Sequence, residues 1–128
     1  MILGIGVDTV DIARFERTLA RTPKLRGRLF TEAERDRPLH SLAARFAAKE
    51  ALIKALGGSD GLRWHDMEIT RAVDEAPRFV LTDRLTHALA RVGAAWPHVS
   101  MTHDGGIATA FVVVEARAGE TKATGSTL

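Results

Sequence analysis

The sequence predicts a single α+β domain, a largely antiparallel sheet packed with one long buried helix. Three observations lead there. First, 128 residues with 45% apolar side chains suffice for one core at the size of one domain. Second, SLAARFAAKEALIKAL, residues 41–56, is a near-continuous apolar helix pattern closed by Gly57-Gly58. Third, short alternating runs separated by turn signals recur in the C-terminal half, and the order of elements suggests largely antiparallel strands.

Residues 2–8 open the chain as a strand. Leu3, Ile5 and Val7 point to one side, and Gly4, Gly6 and Asp8 to the other. A glycine-lined face lets a second backbone or a ligand approach closely. A helix follows, capped by Asp8 or Asp11, with Ile12, Phe15 and Leu19 at helical spacing and Arg14, Arg17 and Arg21 on a separate stripe. Thr31-Glu32-Ala33-Glu34 matches a capping box and predicts a short charged helix that Pro38 interrupts. In the long helix, Leu42, Phe46, Ile53 and Leu56 make the apolar face, and Ala43, Ala47, Glu50 and Lys54 form an adjacent stripe. Lys49 reads as solvated or snorkelling, and Arg45 occupies a third side suited to a phosphate.

Beyond that helix the pattern turns to strands. Residues 67–73 and 78–81 flank the turn Asp74-Glu75-Ala76-Pro77. Leu85, Ala88, Leu89 and Val92 mark a further helix closed by Gly93. Residues 98–103 and 107–116 read as a hairpin joined by Asp104-Gly105-Gly106. The domain spans 1–117, and the small, polar stretch 118–128 is expected to be a disordered tail.

Composition narrows the chemistry. The absence of cysteine removes disulfides, thiolate metal sites and cysteine nucleophiles. The same absence fits a reducing, cytoplasmic setting, and the start, MILGIGVDTV, has no basic segment and an apolar run broken by Asp8, so neither a signal peptide nor a spanning helix, and no membrane partner, is expected. Net charge is only +2, yet residues 14–28 carry Arg14, Arg17, Arg21, Lys24, Arg26 and Arg28 against one acid, Glu16. Arginine favours bidentate contact with carboxylates and phosphates, which suits an acidic or phosphorylated partner; a solvated helix face is the plain alternative. No nucleic-acid-binding motif is recognisable, and five Phe and two Trp offer little for base stacking.

Asp8 and Glu50 are the candidate metal ligands. If strand and helix pack, two carboxylates converge among small residues, and Mg²⁺ accepts one or two carboxylates together with waters and substrate phosphate oxygens. Taken singly, Asp8 also suits an N-cap and Glu50 an ion pair with Lys54 one turn on. Lys54 is placed to contact a phosphate oxygen or assist an attacking group. His103, beside the Gly-Gly turn and near Ser100 and Thr102, is a candidate acid–base; a surface role is the commoner fate of a lone strand-end histidine.

Two motifs carry a family resemblance. GIGVDTVDI at 4–12 and RFAAKEALIKALG at 45–57 resemble the G-x-D strand and F-x-x-K-E-A-x-x-K-A helix of the holo-[acyl-carrier-protein] synthases, the small single-domain 4′-phosphopantetheinyl transferases. SMTHDGGIATAFVVVE at 100–115 is similar to that family's closing hairpin. The resemblance covers about residues 2–116. It implies the 4′-phosphopantetheinyl transferase fold and Mg²⁺-dependent transfer of 4′-phosphopantetheine from coenzyme A to a serine of apo acyl carrier protein. Adenosine 3′,5′-bisphosphate would be released, in support of fatty acid and, as an extension, polyketide biosynthesis.

By that resemblance Asp8 and Glu50 hold Mg²⁺, with Mn²⁺ as a substitute, against the coenzyme A pyrophosphate. Glu50, Lys54 and His103 are the implied catalytic groups, the base being open among them. Arg45, Gly57, Pro77, Ser100 and His103 join Asp8, Glu50 and Lys54 in lining the coenzyme A site. Arg14, Arg17, Arg21 and Arg28 are implied to dock the acidic carrier. The family also implies a homotrimer with interfacial active sites.

Overall fold

The structure, a computed structural model, describes residues 1–118, so the expected tail lies almost wholly outside the described residues. Strand β1 (Ile2–Asp11) leads into helix α1 (Ile12–Arg21) and the short helix α2 (Leu25–Leu29). Helix α3 (Leu39–Leu56) is followed by a 3₁₀ turn at Trp64–Met67 and the two-residue strands β2 (Ile69–Thr70) and β3 (Arg78–Phe79). Helix α4 (Asp83–Arg91) precedes the hairpin β4 (Ala94–Asp104) and β5 (Ile107–Ala116). β5 is the centre of an antiparallel sheet in the order β1-β5-β4, and β2 pairs antiparallel with β3. The mixed, largely antiparallel architecture is the one the sequence predicts.

Glycine sets the contact between sheet and helix. Gly4 and Gly6 of β1 lie opposite Val114 and Val112 of β5, on the face covered by α3. A β-carbon on Gly6 would fall 1.8 Å from the Ala51 carbonyl oxygen, and one on Gly4 1.9 Å from that of Ala55. Strand backbone and helix backbone therefore meet with no side chain between them, and α3 answers with alanines. Ala43, Ala47, Ala48 and Ala51 are completely buried. The apolar row Leu3, Ile5 and Val7 falls on the opposite, uncovered face, as the alternation requires.

α3 ends where the sequence places it. Gly57 adopts φ 82°, and the Gly58 and Gly57 amides donate to the Ile53 and Lys54 carbonyls at 3.0 and 3.1 Å, a Schellman closure. The hairpin turns on Gly105 and Gly106, both at positive φ, between the paired residues Asp104 and Ile107. Two apolar clusters flank α3. One joins it to the sheet and α4, and the other packs Phe15, Leu19, Leu29 and Phe30 against its N-terminal half, with Phe15 stacked on Phe46 at 5.4 Å.

Several local expectations are corrected. β1 continues three residues beyond Asp8, and the cap of α1 is Asp11, whose Oδ1 accepts the Arg14 amide at 3.0 Å. Residues 31–37 form turns, because the Glu34 carboxylate, after accepting the Thr31 amide at 3.1 Å, continues inward to an ion pair. Lys49 is neither solvated nor snorkelling: it is completely buried and 2.8 Å from Glu34. The α3 face of Leu42, Phe46, Ile53 and Leu56 is not the only buried one, since this helix is enclosed on nearly all sides and Phe46, Ile53 and Leu56 keep partial exposure. Strand formation over 67–73 shrinks to Ile69–Thr70, because residues 64–67 wind into the 3₁₀ turn.

Candidate functional site

Asp8 follows Gly4 and Gly6 on the α3-facing side of β1, opposite Ala110 of β5. Lys54 Nζ reaches across from α3 to Asp8 Oδ1 at 3.2 Å and to the Val7 carbonyl oxygen at 3.1 Å. Glu50, one turn earlier, is half-buried, and its pKa is raised first by burial and then by the charge of Asp8, with Lys54 opposing. Two carboxylates and one ammonium therefore converge where glycine brought strand and helix together. Lys54 pairs with Asp8 and leaves Glu50 as an under-compensated carboxylate. No cluster of three or more potential ligating side chains occurs among the described residues. A cation here would complete its shell from water and substrate oxygens, the habit of Mg²⁺.

A second cluster lies further toward the N-terminus of α3. Arg45, His40, Ser41, Arg71, Thr102 and His103 line a cavity of about 120 Å³. The Arg45 guanidinium is buried. Its Nε donates to the Ile69 carbonyl at 3.4 Å, its Nη1 bonds Ser41 Oγ, and its Nη2 is buried without a partner. The imidazoles of His40 and His103 lie 4.4 Å apart. A basic pocket with an unsatisfied guanidinium edge is built for an anion. His103 thus belongs to this pocket. It stands on β4, on the far side of β5 from Asp8 and roughly 10 Å from β1 by strand spacing.

The other candidates are distributed around these two clusters. Gly57 caps α3 and is exposed, and Pro77 precedes β3. Ser100 lies opposite Phe111 on the outer face of the sheet, away from α3, so the fold of the chain does not bring it to either cluster. Arg14, Arg17 and Arg21 are all exposed on α1. Arg14 and Arg28 flank a groove of about 490 Å³ whose apolar walls include Val10, Phe15, Leu29, Phe46 and Trp64, and which Thr9, the residue after Asp8, also lines. His40 and Arg71 were not foreseen from sequence; each joins its pocket only through tertiary packing, and no local pattern marks it.

Comparison with known proteins places this geometry. The family model of the 4′-phosphopantetheinyl transferase superfamily matches residues 4–110. Curated relatives named holo-[acyl-carrier-protein] synthase include one from Leifsonia xyli, 67% identical over 90% of this chain and 98% of its own, and one from Clavibacter sepedonicus, 56% identical over 90% and 97%. The crystal structure of the synthase from Neisseria meningitidis superposes with a TM-score of 0.80 at 32% identity, covering 90% of this chain and 99% of that one. The Helicobacter pylori synthase, solved in complex with coenzyme A, gives 0.75 at 32% identity over 87% and 99%. The chain belongs to the 4′-phosphopantetheinyl transferase superfamily and, within it, to the holo-[acyl-carrier-protein] synthases. It is a transferase enzyme. Among the described residues no helix is long and apolar enough to cross a membrane.

Proposed function

We propose that the chain transfers 4′-phosphopantetheine from coenzyme A to a serine of apo acyl carrier protein, releasing adenosine 3′,5′-bisphosphate, with Mg²⁺ held by Asp8 and Glu50. The observation that carries this reading is a pair of clusters on one helix, a net-negative one that suits a cation and a basic one that suits an anion. Arg45 and Glu50 are five residues apart on α3, about 7.5 Å along its axis. Coenzyme A carries two separate phosphate groups, a pyrophosphate and a 3′-phosphate. The Asp8–Glu50–Lys54 cluster, with its cation, suits the pyrophosphate, and the Arg45–His40–His103–Arg71 pocket suits the 3′-phosphate.

Mg²⁺, or Mn²⁺ in its place, would neutralise the pyrophosphate oxygens and fix their orientation, the main need of phosphoryl transfer. The chain's own residues do the rest. Lys54, held by Asp8 and the Val7 carbonyl, adds a positive charge beside the reacting phosphate. Glu50 and Lys54 flank the reacting centre and are the groups that would receive the serine proton. Arg45 and His103 anchor the nucleotide. The arginines of α1 and Arg28 meet the acidic carrier, whose apolar residues enter the groove between α1 and α2 and bring its serine toward Asp8.

Assembly completes the site. Ile5, Val7 and Phe111 are 55%, 48% and 46% exposed and lie in adjacent rows on the outer face of the sheet. Large apolar residues grouped in this way mark a contact surface, which supports the homotrimer and would let Ser100 serve a neighbouring protomer's site. Light scattering is expected to give three times the 13.9 kDa chain mass; a monomer would remove this part of the reading. The setting is cytoplasmic fatty acid biosynthesis, with the domain spanning residues 1–117.

The function is tested by incubating the chain with coenzyme A, Mg²⁺ and apo carrier protein and weighing the carrier by mass spectrometry. One phosphopantetheine per carrier is expected; no mass gain with several carriers overturns the reading. In the same assay, reversing Arg14, Arg17 and Arg21 to Glu should raise KM for the carrier at least about tenfold and flatten its salt dependence, with KM for coenzyme A unchanged. An unchanged carrier KM would move the docking surface elsewhere.

A further inference from the structure

Glu34 is a completely enclosed acid, 1% exposed, and the reaction described above does not use it. Its Oε1 accepts from Lys49 Nζ at 2.8 Å and the Thr31 amide at 3.1 Å. Its Oε2 accepts the Ile69 amide at 3.0 Å and lies 3.9 Å from Arg45 Nε. Lys49 divides its three protons among Glu34, the Leu29 carbonyl at 2.9 Å and the Trp64 carbonyl at 3.1 Å, and is fully satisfied. Arg45 is not. Two buried cations share one buried carboxylate, the partly buried Glu68 acts on Lys49, and the nitrogen left without a partner is Nη2 of the guanidinium. Burial and then the nearby Arg37 lower the Arg45 pKa, with Glu34 opposing them.

The orientation of that guanidinium is fixed from behind. The Nε edge faces Glu34 and the Ile69 carbonyl, and Ile69 is itself held by Glu34 through its amide. Ser41 takes Nη1. Nη2 is the one guanidinium nitrogen left without a partner, and Arg45 lines the pocket shared with His40, His103 and Arg71. We propose that Glu34 is a positioning residue for coenzyme A, which holds the Nε edge of Arg45 so that its unpartnered Nη2 is kept for the 3′-phosphate. The proposal rests on the reading of the Arg45 pocket given above.

Binding of two donors separates its consequences. Coenzyme A and 3′-dephospho-coenzyme A differ only in the phosphate that Arg45 would receive. Calorimetry in the presence of Mg²⁺ should show that Glu34→Gln weakens coenzyme A about tenfold while leaving the dephospho compound unchanged. A purely structural role would weaken both alike. Because Glu34→Gln strands Lys49 as a buried cation, Glu34→Gln/Lys49→Met is measured beside it; this variant removes both charges of the pair and should show the same split. Arg45→Gln serves as the reference and should weaken coenzyme A alone, by more than tenfold. If Arg45→Gln affects both donors equally, the pocket reading fails and the proposal falls with it. If Arg45→Gln discriminates and the folded Glu34 variants do not, only the Glu34 proposal is overturned.

Discussion

Gly6→Ala is expected to destabilise the protein by at least about 3 kcal/mol and to abolish transfer. The added β-carbon would meet the Ala51 carbonyl oxygen at 1.8 Å, the Ala51 carbonyl carbon at 2.8 Å and the Ala55 nitrogen at 2.9 Å. All three atoms are helix backbone, so no rotamer change relieves the clash. Either β1 or α3 must shift, and both are locked: β1 by its pairing to β5, and α3 by the buried alanines that cover the sheet. Asp8 is two residues along the same face, so any separation of strand from helix pulls Asp8 away from Glu50 and Lys54. Gly27→Ala is the control. It sits in α2 with nothing within 4 Å of the new methyl, and should be neutral or slightly stabilising. Urea unfolding of the two variants measures the contrast; a Gly6→Ala loss below about 1 kcal/mol would contradict the backbone contact.

Glu50→Gln should reduce kcat by about a thousandfold without weakening the fold. The first effect would follow from losing the proposed cation ligand at the reacting centre. The second follows from the sign of the pKa shift. Glu50 binds its proton more tightly in the folded chain than in the unfolded one, because burial and Asp8 disfavour its charge. Over the range from its ordinary value of 4.5 up to the raised one, the folded state therefore holds more protons, and stability falls as pH rises. Glutamine removes that loss. In EDTA at pH 7 the variant should melt at or a few degrees above the parent temperature, and this part of the pH profile should flatten. Asp8→Asn should differ, since it breaks the pair with Lys54, a partly exposed interaction worth at most about 1 kcal/mol. A Glu50→Gln variant that turned over at the parental rate would remove Glu50 from the site.

Much of this was legible in the sequence because it depends on local pattern. The helix over residues 41–56 and its Gly57 cap, the Gly105-Gly106 turn, and the opposition of the Gly4/Gly6/Asp8 face to the Leu3/Ile5/Val7 face all follow from spacing and residue type. The approach of strand to helix backbone was implied by glycine alone, and the convergence of Asp8 with Glu50 follows from it. What stayed hidden depends on partners distant in sequence. Lys49 reads as a surface charge until Glu34, fifteen residues earlier, is brought beneath it. Glu34 in turn reads as half of a capping box. One signal was available: a lysine on a helix otherwise almost wholly apolar implies a buried partner, the reasoning that singled out Glu50 and Lys54. The histidine pair of the Arg45 pocket brings a helix start and a strand end together, and no periodicity encodes that meeting.

The central claim is that Asp8 and Glu50 hold the divalent cation against coenzyme A, and calorimetric titration of coenzyme A with Mg²⁺ and with EDTA tests it most directly. The parent chain should bind coenzyme A at least about tenfold more tightly with Mg²⁺, and this gain should vanish in both Asp8→Asn and Glu50→Gln. A gain of equal size in the parent and both variants would place the cation elsewhere and contradict the account.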